Sequence, residues 1–263
     1  MWWHPLNPRW STWAGKRIWV IGASSGIGAA LARALLERGA RVALSARRTE
    51  LLEATGQGYP DALILPLDAS DPQAWSSAHA ALTRAWQGVD MVVFCAAAAE
   101  YRPQRAWELD ADTVRRTLDI NLASVYHGLQ VVLPGLLAAG SGSVALVASV
   151  AGYIGLPNAT IYGPTKAALI NLAELLYADL HRRGIGVYLI NPGFVKTRLT
   201  EKNEFPMPAL QTPEQAAQSI IAGLARGRFE IDFPRRFTRL IKLLSLLPYR
   251  LSLAATQRLV SPS

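Results

Sequence analysis

Short apolar runs alternate with helix-like stretches along most of the 263-residue chain. The runs are nearly continuous in apolar residues, which is typical of strands buried on both faces of a parallel sheet. The predicted strands are Arg17–Ile21, Val42–Ser45, Leu63–Leu67, Met91–Cys95, Val144–Ala148 and Val187–Ile190. The predicted helices run through Leu31 and Leu35 to Gly39 and lie near 72–86, 112–138, 161–182 and 213–225. This β-α-β rhythm predicts one doubly wound α/β domain of about seven parallel strands with helices on both faces.

The composition favours a large folded interior. Hydrophobic residues make up 51% of the chain and charged residues 17%, which suits a sheet covered on both faces. Residues 120–165 carry no formal charge, but Pro134 and Gly152 interrupt them, so we expect a buried helix, strand and loop instead of a transmembrane span. The chain starts without the pattern of a secretory signal, and its single cysteine, Cys95, excludes an internal disulfide. We therefore expect a cytoplasmic protein.

The net charge of +8 is concentrated in the C-terminal segment. No acidic residue follows Asp232, whereas six basic residues do, which leaves +2 for the rest of the chain. These six residues are Arg235, Arg236, Arg239, Lys242, Arg250 and Arg258. Because the charge is confined to a leucine-rich segment, we expect no nucleic-acid binding.

A glycine-rich turn follows the first predicted strand. It reads Gly22-Ala23-Ser24-Ser25-Gly26-Ile27-Gly28 and opens a helix. Gly22 permits a tight turn, Gly26 lets the backbone approach a pyrophosphate, and Gly28 lets the helix pack closely on the strand. The free N–H groups and the dipole at the helix N-terminus then favour an anion. In the first β-α unit, this turn predicts a dinucleotide-phosphate site more strongly than an ordinary loop.

Tyr162 and Lys166 are four residues apart, so on a helix they lie on one face a turn apart. A nearby ammonium stabilises a phenolate, so we expect the pKa of Tyr162 to be lowered from its usual value near 10. The positive ring of an oxidised nicotinamide would act in the same direction. Pro164 fits only the first turn of a helix, which predicts that this helix begins at Tyr162.

With the spacing G-x-x-x-G-x-G and the segment Tyr162-Gly163-Pro164-Thr165-Lys166, the chain resembles the short-chain dehydrogenase/reductase family over roughly residues 15–230. The resemblance implies an NAD(P)-dependent oxidoreductase on a Rossmann-type domain, with Asn121, Ser149, Tyr162 and Lys166 as its catalytic tetrad. In this family the serine hydrogen-bonds the substrate oxygen, the asparagine holds a relay water, and the lysine bonds the nicotinamide ribose. Tyr162 would donate a proton to a carbonyl oxygen as hydride arrives from the cofactor, or do the reverse in the oxidising direction.

The resemblance also implies cofactor contacts beyond the glycine turn. Asp68 resembles the family aspartate that binds the adenine amino group, whereas Asp71 is better placed to cap the following helix. The segment Asn191-Pro192-Gly193-Phe194-Val195-Lys196-Thr197 matches the one that flanks the nicotinamide. Predicted contacts in these regions are Asp68, Ala69, Ala96, Asn121, Pro192, Gly193, Val195 and Thr197. We predict no metal site.

The end of the second strand bears on the choice of nicotinamide. Ala46 stands where NAD-preferring members of the family carry aspartate, and Arg47 follows it. A guanidinium supplies forked donors matched to a phosphate, and a missing carboxylate removes a repulsion. We therefore predict NADP(H), with Arg47 on the 2′-phosphate and Arg48 or Ser24 as helpers, against the alternative of two solvated arginines.

Two departures from the family pattern concern the cofactor side. Ile21 stands where the family usually has threonine, and Phe94-Cys95-Ala96-Ala97 replaces its Asn-Asn-Ala-Gly. We expect these changes to affect local packing, with Ala97 narrowing the space near the cofactor. Cys95 is expected to be a buried strand-end residue and not a nucleophile.

The chain divides into an N-terminal segment 1–14, a catalytic domain 15–232 and an extension 233–263, and we expect Trp2 and Trp3 of the first segment to wrap over the domain surface. The leucine-rich basic extension is compatible with a peripheral contact to an anionic membrane, or with a helix that packs on the domain, covers the pocket or meets another subunit. Either use suits an apolar or lipid-like carbonyl or alcohol substrate. Pocket positions are expected around Tyr101, Tyr153–Leu156 and 198–208. The family resemblance implies a homodimer or homotetramer through the helices near 112–138 and 161–182.

Two other functions share parts of this pattern. A non-catalytic dinucleotide sensor would keep the fold, but it would be expected to lack the tyrosine or the lysine. A sugar-nucleotide epimerase or dehydratase shares Y-x-x-x-K, but such chains are usually longer and have a different glycine spacing.

Overall fold

Seven parallel strands form one sheet in the computed structural model, which describes residues 4–98, 105–201 and 207–258. The strands are β1 (Arg17–Ile21), β2 (Arg41–Ser45), β3 (Ala62–Ile64), β4 (Met91–Phe94), β5 (Gly142–Val147), β6 (Ile185–Pro192) and β7 (Glu230–Phe233). Their order is β3-β2-β1-β4-β5-β6-β7, which confirms the predicted doubly wound, Rossmann-type sheet. The order reverses between β1 and β4, the place where such sheets bind ligands.

Helices cover both faces of this sheet. They are α1 (Gly26–Leu36), α2 (Thr49–Gly56), α3 (Pro72–Trp86), α4 (Ala111–Leu118), α5 (Ser124–Ala139), α6 (Tyr162–Leu180), α7 (Pro213–Ala225), α8 (Arg235–Ser245) and α9 (Tyr249–Arg258). Alternate residues of a strand point to opposite faces, so Ile18 and Val20 of β1 pack under α1 and α7. Trp19 and Ile21 pack on the other face with α3, α5 and α6.

The predicted helix near 112–138 is α4, a five-residue π-helical segment (Asp119–Ala123) and α5 in one run. Ala111–Ala139 is long and apolar enough to cross a membrane, but length and composition alone are weak evidence for a span. Val125, Leu129, Val132 and Leu136 of this run belong to the core on one face of the sheet. It therefore serves the fold as a core helix.

The N-terminal segment is anchored in the domain. Asn7 pairs with the backbone of Val187 in β6, donating to its carbonyl at 2.6 Å and accepting from its N–H at 2.9 Å. Trp10 and Trp13 stack with ring centroids 5.6 Å apart, and both are buried. They fill the core on the α1 and α7 side. Trp2 and Trp3, which are predicted to wrap over the surface, lie outside the described residues.

Candidate active site

A cavity of about 790 Å³ lies at the carboxyl ends of β1, β4, β5 and β6. It is lined by every residue predicted to contact the cofactor except Asn121. These lining residues are Gly22, Ser24, Ser25, Gly26, Ile27, Gly28, Arg47, Arg48, Asp68, Ala69, Ala96, Tyr162, Lys166, Pro192, Gly193, Val195 and Thr197. Motifs up to 175 residues apart in the sequence therefore meet around one space.

Each of the three positions in this turn requires a glycine, for steric reasons. Gly22 and Gly26 adopt φ of +91° and +55°, the left-handed region that favours glycine. A Cβ on Gly28 would lie 2.2 Å from the carbonyl oxygen of Gly22, and one on Gly26 would lie 2.9 Å from Cγ2 of Thr197. The turn is therefore a bare-backbone cradle that side chains would fill.

Helix α1 begins at this cradle. Its N-cap, Ser25, makes no side-chain capping bond within the described residues, and no acidic residue lies in the first turn. The first N–H groups of the helix are thus available to donate hydrogen bonds to a group in the cavity, and the helix dipole adds partial positive charge there. This end of the cavity suits a phosphate.

Two arginines follow β2 at the same end of the cavity. Arg48 donates from Nη2 to the hydroxyl of Ser24 at a long 3.5 Å, and Arg47 is exposed at the rim. Ala46 lines the wall between them and the strand, so no carboxylate occupies that position.

Asp68 lies on the cavity wall after β3. Its carboxylate accepts hydrogen bonds from the N–H and the hydroxyl of Ser70, at 3.0 and 2.7 Å. Burial raises the pKa of Asp68, but the bonds from Ser70 and the charge of Arg47 outweigh it, and the pKa lies below its usual value. Asp71 caps α3 by accepting from the N–H of Gln73 at 2.9 Å, which confirms its predicted role.

Tyr162 is the first residue of α6, and Pro164 lies in the first turn, as the sequence predicts. One turn further, the Nζ of Lys166 lies 5.4 Å from the centroid of the Tyr162 ring. The same Nζ donates to the carbonyl oxygen of Val147 at 2.9 Å. The lysine is only 2% exposed, so its ammonium is fixed beside the phenol ring.

The pKa of Tyr162 is raised to about 12, opposite to the direction expected from its spacing to Lys166. Burial is the main cause, and it outweighs a hydrogen bond with Ser149 that favours the phenolate. Burial also lowers the pKa of Lys166 to about 8, because desolvation disfavours the ammonium. In the protein alone, Tyr162 is therefore protonated at neutral pH and a weaker acid than a free tyrosine, beside a lysine whose pKa is about 8.

Ser149 reaches Tyr162 because two backbone segments approach closely. A short 3-10 turn, Val150–Gly152, follows Ser149, whose hydroxyl accepts from the N–H of Ala151 at 3.1 Å. A Cβ on Gly152 would lie 2.7 Å from the backbone carbon of Lys166. The sequence motifs do not reveal this requirement for glycine, which holds the Ser149 loop against α6.

Asn121 lies in the π-helical segment and is buried. Its side-chain oxygen accepts from the N–H of Ala98 at 2.9 Å, and its amide donates to the hydroxyl of Thr165 at 3.3 Å. Thr165 in turn donates to the carbonyl of Tyr162 at 2.7 Å. Asn121 therefore ties the loop after β4 to the first turn of α6, behind the wall that its neighbour Ile120 lines.

Cys95 lines the cavity at the end of β4. Burial raises the pKa of its thiol to about 11, which makes it a weak nucleophile at neutral pH. This placement agrees with the expected strand-end residue.

Helix α8 closes one side of the cavity, a role that the sequence alone left open. Phe237 and Ile241, one turn apart on α8, line it. The ring centroids of Phe237 and Phe194 lie 5.5 Å apart. A Cβ on Gly193 would lie 3.0 Å from Cδ1 of Phe237, so the Phe237 ring also packs close to the backbone of Gly193. A helix that carries these side chains covers part of the pocket.

A polar network fastens α8 to the sheet. Glu230 of β7 forms an ion pair with Lys242 of α8 and accepts from the hydroxyl of Tyr153 at 2.5 Å and from Asn191 at 2.9 Å. Tyr153, predicted as a pocket position, makes this bond instead of lining the cavity, whereas Leu156 does line it. Tyr101 and residues 202–206 lie outside the described residues.

Comparisons with known proteins agree with this arrangement. The family model described as short chain dehydrogenase matches residues 16–206. An uncharacterized oxidoreductase of Myxococcus xanthus (strain DK1622) is 35% identical over 91% of this chain and 96% of its own length. An uncharacterized oxidoreductase of Mycobacterium tuberculosis (strain CDC 1551 / Oshkosh) is 30% identical over 90% and 96%. The crystal structure of a short-chain dehydrogenase from Streptomyces avermitilis superposes with a TM-score of 0.79 at 25% identity, covering 93% of this chain and 97% of that one.

Proposed function

This chain belongs to the short-chain dehydrogenase/reductase family of NAD(P)-dependent oxidoreductases, and we propose that it interconverts a carbonyl and an alcohol on an apolar substrate, with NADP(H) as its cofactor. The observation that carries the proposal is the meeting of Ser149, Tyr162 and Lys166 beside the bare-backbone turn, in one cavity. A sensor without catalysis would have no need of a buried lysine held against a buried phenol.

The residues present fit a phosphorylated dinucleotide. The turn from Gly22 to Gly28 and the start of α1 would hold the pyrophosphate, and Asp68 would accept from the adenine amino group. Arg47, at the rim without a neighbouring carboxylate at position 46, would pair with a 2′-phosphate, with Arg48 or Ser24 beside it. When bound, the cofactor supplies or accepts the hydride.

The chain's own groups handle the proton. Ser149 and Tyr162 would hold the carbonyl oxygen, and the phenol of Tyr162 would donate its proton as charge develops there. Lys166 would hold the ribose and favour the phenolate that remains. Asn121 would position the water through which Tyr162 regains its proton, although its amide is already bonded to Thr165.

The lining of the cavity supports an apolar substrate. Beside Ser149, Tyr162 and Lys166 it presents large apolar side chains, which are Val150, Leu156, Phe194, Leu199, Phe237 and Ile241, together with the polar Asn158, Arg198, Thr200 and Glu201. The large apolar side chains support the carbonyl of a hydrophobic molecule over the sugar nucleotide of the epimerase alternative.

The assembly and location are proposed on separate grounds. Leu118, Tyr126, Leu137 and Leu175 of α4, α5 and α6 are exposed, which supports contact between subunits on those helices in a homodimer or homotetramer. We propose a cytoplasmic catalytic domain over residues 15–232, between an N-terminal segment 1–14 and a C-terminal extension 233–263, with residues 4–14 and the start of α8 packed on it.

The test is a screen for NADPH oxidation with ketones, aldehydes, steroids and fatty-acyl carbonyls. We expect turnover that favours apolar members of the set, and a parallel titration should give NADPH binding. NADPH binding without turnover on any class would support the sensor instead, and turnover only on sugar nucleotides would support the epimerase.

A further inference from the structure

Helices α8 and α9 and the turn between them carry a set of exposed apolar side chains, which we name the C-terminal apolar surface. It consists of Leu240, Leu243, Leu246, Leu247, Tyr249, Leu251 and Leu253. Each is between 41% and 83% exposed. Single exposed leucines are ordinary, but seven large apolar residues within fourteen positions form a patch that water solvates poorly.

Helix α9 buries polar side chains and exposes apolar ones. Its buried side chains are the hydroxyls Ser252 and Thr256, whereas Leu251 and Leu253, on either side of Ser252 in the sequence, are exposed. A helix made to pack on its own domain would bury the leucines and expose the hydroxyls. The exposed side of α9 is therefore suited to an apolar environment.

The charged residues of the segment that carries this surface are all basic. No acidic residue follows Asp232 in the sequence, and six basic residues do. Two of the six are paired with the sheet, Arg235 with Asp232 at 3.9 Å and Lys242 with Glu230. Within the part of the chain that the structure describes, Arg236, Arg239 and Arg250 lie in no ion pair.

A second copy of the chain fits this surface poorly. Contact of the face with itself would bring uncompensated arginines against arginines, because a two-fold interface pairs the same patch on both subunits. A nucleic acid would satisfy the arginines but would leave the leucines exposed to water. Anionic headgroups above a hydrocarbon layer satisfy both sets of groups at once.

We propose that α8 and α9 dock the protein on an anionic lipid membrane, with the leucines inserted among the acyl chains and the arginines at the headgroups. The opposite face of α8 carries Phe237 and Ile241, which line the cavity. Only one helix thus lies between the bilayer and the site, which would leave a short path to the cavity for an apolar substrate dissolved in the bilayer. That consequence rests on the proposed function, whereas the docking does not.

The experiment is co-sedimentation of the full-length protein with vesicles of phosphatidylcholine alone or of phosphatidylcholine with phosphatidylglycerol. We expect binding to the anionic vesicles, weak binding to the neutral ones, and loss of binding at high salt. Leu243→Ser with Leu247→Ser, and separately Arg236→Gln with Arg239→Gln, should each lower the vesicle partition coefficient about 10-fold or more.

The matched control is Arg182→Gln with Arg183→Gln, two exposed arginines just before the amino end of β6, whereas α8 begins just after the carboxyl end of the neighbouring strand β7. This control variant should bind to the anionic vesicles as the unmodified protein does. All variants should have the same circular dichroism spectrum as the unmodified protein. Absent or equal binding to both vesicle types would overturn the proposal. So would an unchanged partition in both surface variants, or a leucine variant that alters only the oligomeric state in sedimentation velocity. Because no turnover is measured, inactivity on every carbonyl would leave this result intact.

Discussion

Burial is the main influence on the pKa values of Tyr162 and Lys166 in the cavity. Lys166 is almost inaccessible, and the cost of burying its ammonium lowers its pKa to about 8. The same cost raises the pKa of Tyr162 to about 12, since a buried phenolate is disfavoured. Spacing along the sequence reveals that the two groups are neighbours, but it does not reveal how dry their surroundings are. The direction expected for Tyr162 was wrong for that reason.

The titration of Lys166 predicts a pH dependence. Its ammonium is present below pH 8 and lost above it, while Tyr162 stays protonated throughout this range. The kcat/KM for NADPH in the reducing direction, which reports the free enzyme, should be level near pH 7 and fall above about pH 8. Lys166→Arg should move the falling limb above about pH 10, because a guanidinium keeps its charge. An identical limb in that variant would assign the titration to another group.

We expect Arg47 to determine the preference for NADPH over NADH. Arg47→Ala should lower kcat/KM for NADPH by about 10- to 100-fold, since a charge-assisted pair with the phosphate is lost. The value for NADH should change by less than about 3-fold. Arg84→Ala, which removes an exposed arginine of α3, is the control and should alter neither. Equal losses with both cofactors would contradict the assignment of Arg47.

Gly28 predicts a steric effect at the phosphate turn. In Gly28→Ala the new Cβ would lie 2.2 Å from the Gly22 carbonyl oxygen, so the turn must shift. We expect a loss of about 1–3 kcal/mol in the free energy of unfolding and weaker NADPH binding. Gly135→Ala, a helical glycine with no atom of the described chain within 4 Å of the new Cβ, should instead stabilise the fold by up to about 1 kcal/mol. Urea titrations of both variants measure the contrast.

At the scale of elements, α8 joins the site to the outside of the molecule. Its inner residues line the cavity, its outer residues form the C-terminal apolar surface, and the Glu230 network fixes it on β7. Although burial raises the pKa of Glu230, bonds from Lys242, Tyr153 and Asn191 hold that pKa below its usual value. The carboxylate therefore stabilises the position of α8 above its ordinary pKa and ceases to do so as the pH falls through the lowered one.

Glu230→Gln tests this fastening. The variant should lose about 1–2 kcal/mol of stability at neutral pH, an amount limited by the exposure of Lys242. It should also raise the substrate KM more than it lowers kcat, because α8 would cover the pocket less closely. The difference in melting temperature from the unmodified protein should shrink as the pH falls below the ordinary carboxyl pKa and vanish once the pH has passed through the lowered pKa of Glu230, where both proteins carry an uncharged side chain. A difference independent of pH would mean that charge is not what holds α8.

Across the whole molecule, the parallel sheet was predictable because its central strands are continuous apolar runs. The edge strand β7, Glu230–Phe233, was missed since only alternate residues are buried, and four residues of alternation carry little signal. Helix α2, of eight residues, was missed because two turns provide too little periodicity.

The site was predictable as far as its motifs reach. The glycine turn, the tetrad and the segment ending at Thr197 line or adjoin one cavity because each directly follows a strand of the same sheet or begins a helix beside it. Contacts between positions that carry no motif were not predictable. The approach of Gly152 to Lys166 and the bond of Tyr153 to Glu230, 77 residues apart, depend on packing that only the structure reveals.

In the proposed reaction, Tyr162 moves the proton while the rest of the cavity binds the cofactor. Tyr162→Phe separates these two roles when two quantities are measured: the dissociation constant of NADPH by fluorescence titration, and kcat/KM on the best carbonyl substrate. We expect an NADPH affinity within about 3-fold of the unmodified protein and a kcat/KM lower by about 10² to 10⁴. Turnover that survives the loss of the hydroxyl, with NADPH still bound, would contradict this role of Tyr162.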